Sequence, residues 1–215
     1  MTKINRSRTA AAICLSVAFV LWTVLVCTVD VREIGPEGSS VGFATLNGYV
    51  RDLVGVRMSL YTLTDGLGLV PIVTALGFAI LGLVQWIKRK SLRRVDRDIL
   101  ALGVFYVIVM AVYVFFELVV VNQRPVLIDG RLEASYPSST TLLTACVMPT
   151  AAMQIRARLK RGMARIGLCV ALYGFTAFMI IGRLLSGVHW ITDIAGGLIL
   201  SAGLVLMYAS WGKHP

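Results

Sequence analysis

The chain contains six long apolar stretches, each with at most one charged residue. Each is long enough to cross a lipid bilayer as a helix. A bilayer core about 30 Å thick needs about 20 consecutive apolar residues in a helix. Only 15% of the 215 residues are charged, which is typical of a membrane protein rather than a soluble domain. The sequence therefore predicts an all-α bundle of six transmembrane spans, at approximately residues 9–29, 66–87, 99–121, 137–155, 166–182 and 190–211.

The first stretch has the alternative interpretation of a cleaved signal peptide. Its apolar run is longer than the roughly 7–15 residues of a typical signal sequence, and no clear small-x-small cleavage site follows it. We therefore interpret it as a retained span. Residues 1–215 are then expected to form one membrane domain with six spans.

The basic residues are distributed unequally between the two sides that this topology defines. Fifteen of the 21 Lys and Arg residues fall in the N-terminal segment, in the loops 88–97 and 156–165, and in the C-terminal tail. Because Lys and Arg collect on the cytoplasmic side, both termini are predicted to be cytoplasmic in a plasma membrane protein. The net charge of +10 then follows from orientation and from contact with anionic membrane lipids, so we predict no nucleic-acid partner.

The cysteines give no indication of a metal site or a disulfide framework. Cys14, Cys27, Cys146 and Cys169 all fall within predicted spans, without CxxC spacing and without a neighbouring His. We predict that they pack in the bundle, and that the protein uses neither a metal nor another cofactor.

The longest predicted external loop covers residues 30–64. It begins with Gly and Pro, and its second half mixes apolar residues with Asn47, Arg51, Asp52 and Arg57. This mixture favours a helix in the outer membrane interface over a seventh span. Packing and a role in substrate entry are equally compatible with it.

Three polar clusters lie at predicted span ends that the topology brings to the outer side. They have the sequences NQRP at 122–125, YPSST at 136–140 and GRLLSGVHWITD at 182–193. Arg124 and Arg183 carry guanidinium groups, whose donors match the oxygens of a phosphate.

The second cluster adds the start of a helix to this site. Pro137 suits the first turn of a helix, where free N–H groups near Ser138 and Ser139 attract an anion. In the third cluster, His189 and Asp193 are four residues apart, so they share a helical face and the carboxylate can orient the imidazole. The sequence thus predicts an anion pocket beside a nucleophilic histidine.

These residues resemble the type 2 phosphatidic acid phosphatase family of membrane lipid phosphatases, which shares its core with vanadium haloperoxidases. The family has three motifs: Lys, six residues, Arg-Pro; Pro-Ser-Gly-His; and Ser-Arg, five residues, His, three residues, Asp. Arg183, His189 and Asp193 match the third motif at its spacing, and Arg124 with Pro125 matches the end of the first. The similarity covers residues 117–193.

The chain departs from the family pattern at four positions. Glu117 stands where the first motif has Lys, and Gly182 where the third has its leading Ser. In the second motif, Ser139 replaces Gly and Thr140 replaces His. An alcohol cannot protonate a leaving group as that His is thought to do. His214, the other histidine of the chain, is expected in the cytoplasmic tail, about 30 Å from the site.

The resemblance implies a metal-independent reaction through a phosphohistidine. His189 would be the nucleophile and Asp193 its partner, while the phosphoryl group would be held by Arg124, Arg183, Ser138, Ser139 and Thr140.

The missing acid leaves the exact reaction open. A phosphate leaving from a diphosphate needs a proton less than an alkoxide does, so a lipid diphosphate such as a polyprenyl diphosphate is a predicted substrate beside a lipid phosphate. Glu117 and Tyr136 are candidate substitute acids, with pairing to Arg124 or Arg183 as the alternative for Glu117. A phosphotransferase and a catalytically silent phospholipid-binding protein are the alternative functions.

Overall fold

The computed structural model describes residues 3–211, and the side chains of residues 5–211. His214 lies outside the described residues. A short antiparallel pair, β1 (Arg32–Glu33) with β2 (Ser40–Val41), follows the first helix. The helices are α1 (Lys3–Thr28), α2 (Ala44–Val54), α3 (Met58–Leu67), α4 (Leu69–Arg89), α5 (Arg97–Leu118), α6 (Ser139–Arg158), α7 (Met163–Leu185) and α8 (Ile191–Trp211).

The predicted all-α membrane bundle is confirmed, and the chain is a multi-pass membrane protein. Five helical segments are long and apolar enough to cross a bilayer within the described residues. One of them combines α3 and α4, so this segment begins at Met58 rather than near residue 66. The five segments are Asn5–Thr28, Met58–Arg89, Arg97–Leu118, Met163–Leu185 and Ile191–Trp211.

The predicted fourth span is α6, which is as long as the others but more polar. Its 20 residues extend about 30 Å, and α4, α5, α7 and α8 all pack against it. Eleven of its residues are buried, and several of their polar groups are hydrogen-bonded inside the bundle. Thr150 donates to the carbonyl oxygen of Cys146 at 2.8 Å, and Gln154 Nε2 donates to Tyr208 Oη at 2.6 Å. A helix enclosed by protein can carry such residues, since they do not face lipid.

An aromatic contact fixes the segment before α6 against the start of α8. The ring of Tyr136 stacks on Phe19 and meets Phe116 edge-on, with ring centroids 6.1 and 6.0 Å apart. Gly196 of α8 makes room for this ring, because a Cβ atom there would lie 2.7 Å from Tyr136 Cε2. The close approach brings Ser135 to the first turn of α8.

The predicted external loop contains α2 and α3, and α3 packs directly on α7. A Cβ atom at Gly182 would lie 2.8 Å from Thr64 Cγ2, which is shorter than any ordinary carbon contact. This contact explains why Gly stands at the position where the third motif has Ser.

Helix α2 packs over the beginning of α8. Asn47 is buried and its Nδ2 donates to the carbonyl oxygen of Gly42 and to Thr192 Oγ1, at 2.7 and 3.0 Å. The guanidinium carbon of Arg51 lies 5.8 Å from the ring centroid of Trp190. The loop before α4 therefore covers the turn that carries His189.

Candidate active site

A tight reversal of the chain between α5 and α6 brings the first two polar clusters together. The N–H of Arg124 donates to the carbonyl oxygen of Glu133 at 3.0 Å, and the N–H of Ser135 donates to that of Asn122 at 2.9 Å. Asp129 and Gly130 at the tip both have positive φ, 49° and 72°, as an Asp-Gly turn of type I′ requires.

The turn between α7 and α8 holds His189 in the interior. Gly187 has φ +70°, and a Cβ atom there would lie 2.0 Å from the carbonyl oxygen of Gly55. The N–H of Arg57 donates to the carbonyl oxygen of Ser186 at 2.9 Å. This close packing leaves His189 only 5% exposed.

His189 and Asp193 are connected through Ser135, rather than directly as the sequence predicts. Ser135 Oγ lies 2.9 Å from His189 Nδ1 and donates to Asp193 Oδ2 at 2.5 Å. Asp193 is buried and accepts two further hydrogen bonds. Asn122 Nδ2 donates to its Oδ1 at 3.2 Å, and the N–H of Trp190 donates to its Oδ2 at 3.0 Å.

The other ring nitrogen of His189 is free for chemistry. Nε2 is buried and has no hydrogen-bond partner among the described residues. Burial lowers the pKa of His189 well below its usual value of 6.5, and the nearby charges of Arg124 and Arg183 lower it further. The imidazole is therefore neutral at physiological pH, which is the state that a nucleophile requires.

Two buried arginines stand beside this imidazole. Arg124 Nε lies 3.1 Å from Glu133 Oε2, and Arg183 Nη2 donates to Asp65 Oδ1 at 3.3 Å. The ring centroid of Tyr61 lies 5.8 Å from the guanidinium carbon of Arg124 and 5.1 Å from that of Arg183. Arg124 Nη1 and Arg183 Nε have no hydrogen-bond partner in the described part of the chain. Buried cationic donors without partners indicate a site for an anion.

The arginines open onto a cavity of about 640 Å³, hereafter the polar cavity. Ser139 and Thr140, at the start of α6, also line it. Ser138 does not line it: this residue is buried, and its hydroxyl accepts a hydrogen bond from Thr141 Oγ1 at 3.1 Å. His189 is also absent from the lining, so a phosphoryl group can reach Nε2 only after nearby side chains move.

The two candidate acids have different surroundings. Glu117 lines the polar cavity, and it forms no ion pair with the arginines because Glu133 and Asp65 occupy them. The alternative prediction of pairing with Arg124 or Arg183 is therefore wrong. Tyr136 does not line the cavity, and its hydroxyl is 2.7 Å from that of Thr23 in α1. Tyr136 therefore lies outside the polar cavity, and its role as an acid stays a prediction.

Sequence reasoning did not find Ser135, Tyr61 or Asp65. Ser135 directly precedes the YPSST cluster, and that position was its only signal. Tyr61 and Asp65 belong to α3, a helix that the sequence placed mainly in the external loop.

Comparison with known proteins identifies the family. The sequence signature of the PAP2 superfamily matches residues 98–214. The chain belongs to the PAP2 superfamily. This PAP2 protein is also similar in fold to the first transmembrane PAP2 type phosphatidylglycerolphosphate phosphatase from Bacillus subtilis, known from a crystal structure, with a TM-score of 0.58. The match covers 94% of each chain at 18% sequence identity. No curated protein sequence matches.

Proposed function

We propose that this PAP2 protein is a membrane lipid phosphatase that hydrolyses lipid phosphates or diphosphates through a phosphohistidine at His189. One observation carries the proposal: the buried imidazole of His189, whose Nε2 has no partner among the described residues, stands beside two buried guanidinium groups. A nucleophile next to fixed cationic donors is the arrangement that phosphoryl transfer needs.

The proposed reaction proceeds in two steps. In the first, His189 Nε2 forms a bond to phosphorus, the bond from phosphorus to the leaving oxygen breaks, and that oxygen takes a proton. In the second, water attacks phosphorus, the Nε2 bond breaks, inorganic phosphate leaves, and a proton of the water replaces the one that the leaving oxygen took. The proposed route uses no metal ion or cofactor, as the family resemblance implies.

Substrate binding exchanges one set of anions for another. In the free site, Asp65 and Glu133 accompany the two arginines, and their side chains are 56% and 41% exposed. These carboxylates can turn to water as the substrate arrives, because the incoming phosphoryl group then compensates the charges of the two buried guanidinium groups. The phosphoryl oxygens then replace them on Arg124 and Arg183. The N–H groups of Ser139 and Thr140, in the first turn of α6, add further donors.

Glu117 is the proposed acid for the leaving oxygen. It lines the polar cavity together with Thr140, the residue at the position of the family's missing His. General acid catalysis contributes about 10²- to 10⁴-fold, and it matters most for an alkoxide leaving group. We therefore expect Glu117→Gln to slow hydrolysis of phosphatidic acid at least tenfold more than hydrolysis of a polyprenyl diphosphate. Equal losses on both substrates would exclude this role.

An apolar groove supports a lipid substrate. It has a volume of about 810 Å³ and lies between α4 and α5, with Ile72 and Leu143 lining both the groove and the polar cavity. Its lining on α4 runs from Pro71 to Trp86, which corresponds to roughly 22 Å along the helix. A phosphate in the cavity can thus be joined to a long hydrocarbon chain in the groove.

We further propose that the site faces outward from the plasma membrane. The basic loops 88–97 and 156–165 lie at the other ends of the helices from the site, and they meet where Arg158 Nη2 lies 3.8 Å from Asp96 Oδ2. The positive-inside rule then assigns that end, with both termini, to the cytoplasm. Labelling of a single engineered cysteine at residue 130 by an impermeant maleimide, on a background with the four native cysteines replaced, tests this orientation. Labelling only after cell lysis would contradict it.

The test of function is turnover and trapping with the purified protein in detergent. Phosphatidic acid, phosphatidylglycerolphosphate and a polyprenyl diphosphate are supplied separately, and ³¹P NMR follows phosphate release and a phosphohistidine signal. We expect turnover of at least one substrate, and its loss in His189→Ala. Turnover that survives in His189→Ala would refute the mechanism.

Thr140 favours a second candidate, a silent phospholipid-binding protein or a phosphotransferase. A silent protein binds these lipids without releasing phosphate from any of them. A phosphotransferase forms the phosphohistidine but releases phosphate only slowly until an acceptor alcohol is added.

A further inference from the structure

Ser135 joins the nucleophile to its carboxylate through a single hydroxyl group. Its oxygen is 2.9 Å from His189 Nδ1 and 2.5 Å from Asp193 Oδ2. A serine hydroxyl has one proton to donate and lone pairs to accept with. The direction of that one proton therefore determines the hydrogen-bond roles of both neighbours.

The surroundings of Asp193 settle this direction. Asn122 Nδ2 and the N–H of Trp190 donate to the carboxylate, at 3.2 and 3.0 Å. An ionised carboxylate can only accept, so the proton of Ser135 points to Asp193. The Ser135 oxygen then accepts from His189, which places the imidazole hydrogen on Nδ1. In a neutral imidazole the other nitrogen, Nε2, then carries the lone pair.

We infer that Ser135 is a positioning residue that holds His189 in the Nδ1–H tautomer and connects it electrostatically to Asp193. The inference rests on the proposed role of His189 as nucleophile, and it adds a residue outside the matched motif positions. Without the hydroxyl, Nδ1 loses its 2.9 Å contact with Ser135 Oγ and only the backbone of Ser135 remains as an acceptor near the ring, so the proton gains access to Nε2. An imidazole protonated at Nε2 cannot attack phosphorus.

The same hydroxyl serves the phosphohistidine intermediate. When Nε2 bonds to phosphorus, the ring gains a positive charge and keeps its hydrogen on Nδ1. The chain from Nδ1–H through Ser135 to the Asp193 carboxylate stabilises that charge, and no proton has to move along it. Ser135 thus acts through His189 and touches no substrate atom.

The backbone around Ser135 is held firmly enough for this task. Ser135 is 2% exposed, and its N–H donates to the carbonyl oxygen of Asn122 at 2.9 Å. Asn122 therefore binds the backbone of Ser135 and the carboxylate of Asp193 at once. The next residue, Tyr136, packs against Gly196 one turn along α8 from Asp193. These contacts keep the hydroxyl between the two side chains.

The decisive test reads the tautomer and needs no substrate. Replacing His214 with Gln leaves His189 as the only imidazole in the chain, so its ring signals are unambiguous. In protein labelled with ¹⁵N-histidine and placed in lipid bilayers, solid-state NMR at neutral pH should show a hydrogen on Nδ1 alone. Ser135→Ala should populate the Nε2–H form, and Ser135→Thr should restore Nδ1–H. A wild-type ring protonated at Nε2, or a tautomer unchanged in Ser135→Ala, overturns the inference.

Kinetics provide the second measurement. Hydrogen bonds to charged groups are worth about 1.5–3 kcal/mol, so kcat for the best lipid substrate should fall roughly 10- to 100-fold in Ser135→Ala. KM should change little, and Ser135→Thr should recover most of the rate. Ser201→Ala is the matched control, because Ser201 is equally buried on α8 but donates to its own helix at the carbonyl oxygen of Gly197. A loss in Ser201→Ala equal to that in Ser135→Ala would contradict the inference.

The two measurements separate this inference from the proposed function. Nδ1–H in the wild type, lost in Ser135→Ala, supports the inference even if no lipid phosphate is hydrolysed. Hydrolysis through His189 with an unchanged tautomer in Ser135→Ala supports the function and rejects the inference.

Discussion

Restoring the family's serine at position 182 should destabilise this protein, although the change makes its sequence more typical. A Cβ atom at Gly182 would lie 2.8 Å from Thr64 Cγ2, and 3.9 Å from Leu60 Cδ1. Favourable carbon contacts lie at about 3.5–4.0 Å, so α3 and α7 must separate or Thr64 must rotate. Rotation costs Thr64 its hydrogen bond to the carbonyl oxygen of Leu60, at 2.8 Å.

The expected size of this effect follows from overpacking of a buried contact. Overpacked sites lose about 1–3 kcal/mol of unfolding free energy, which corresponds to roughly 2–12 °C in Tm for a chain of this length. Because Thr64 Oγ1 is also 3.5 Å from Arg183 Nη1, activity should fall together with stability.

Thermal unfolding in detergent, followed by tryptophan fluorescence, measures this loss. Thr64→Ser removes the clashing methyl group and keeps the hydroxyl, so the double variant Gly182→Ser with Thr64→Ser should regain most of the lost Tm. Gly174→Ser is the matched control on α7, since no atom lies within 4 Å of a Cβ there. A Gly182→Ser variant as stable as the wild type, or a double variant without recovery of Tm, would contradict a steric conflict between Gly182 and Thr64.

Four further predictions concern the residues of the site. Thr140→His should raise hydrolysis of phosphatidic acid relative to a polyprenyl diphosphate, measured as the ratio of kcat values. Asp65→Asn should lower the vanadate inhibition constant, because the anion no longer competes with the Asp65 carboxylate for the buried guanidinium group of Arg183. Because the pKa of His189 is lowered well below 6.5, kcat/KM should stay constant as the pH falls through 6.5. It should decline only when the pH approaches the lowered pKa of the imidazole. As the pH falls below 6.5, the unfolded chain binds a proton at His189 while the folded protein does not, so the free energy of unfolding should decrease. Tm measured against pH, with His189→Gln as reference, tests this decrease.

The helical bundle could be predicted because a long stretch without charged residues is a strong indication of a transmembrane helix. Even α6, whose Ser, Thr and Gln residues lower its hydropathy, has no charged residue between Glu133 and Arg156. The helical segment of the second span begins earlier than the predicted bound, because α3 carries Asp65, which a sequence criterion takes as the end of a membrane segment. In the structure this carboxylate meets Arg183, a contact between residues far apart in the chain.

The site could be predicted only where motif spacing determines it. Arg124, Arg183, His189 and Asp193 lie in one region because the family spacing reflects a shared fold. The helical spacing of His189 and Asp193 predicted direct contact, but α8 begins only at Ile191, after the histidine. Ser135 enters the gap from another segment of the chain. No local pattern reveals such a contact, because it depends on the packing of Tyr136 against Gly196.

The departures from the family motifs are concentrated around the polar cavity, and their position bears on the function. Glu117, Ser139 and Thr140 all line that cavity. By contrast, the surroundings of the proposed nucleophile are intact: the carboxylate of Asp193 accepts three hydrogen bonds, and the Nε2 of His189 has no partner in the described part of the chain.

A chain that had lost catalysis would have no reason to keep a desolvated imidazole and a buried carboxylate, since burying polar groups costs free energy unless they are used. Substitution of motif residues only in the wall of the polar cavity instead changes which leaving group is accepted and how that group is protonated. The arrangement therefore favours a working enzyme with an altered leaving group over a silent binding protein. If the wild-type protein bound the different lipid phosphates with equal affinity and formed no phosphohistidine, this conclusion would be reversed.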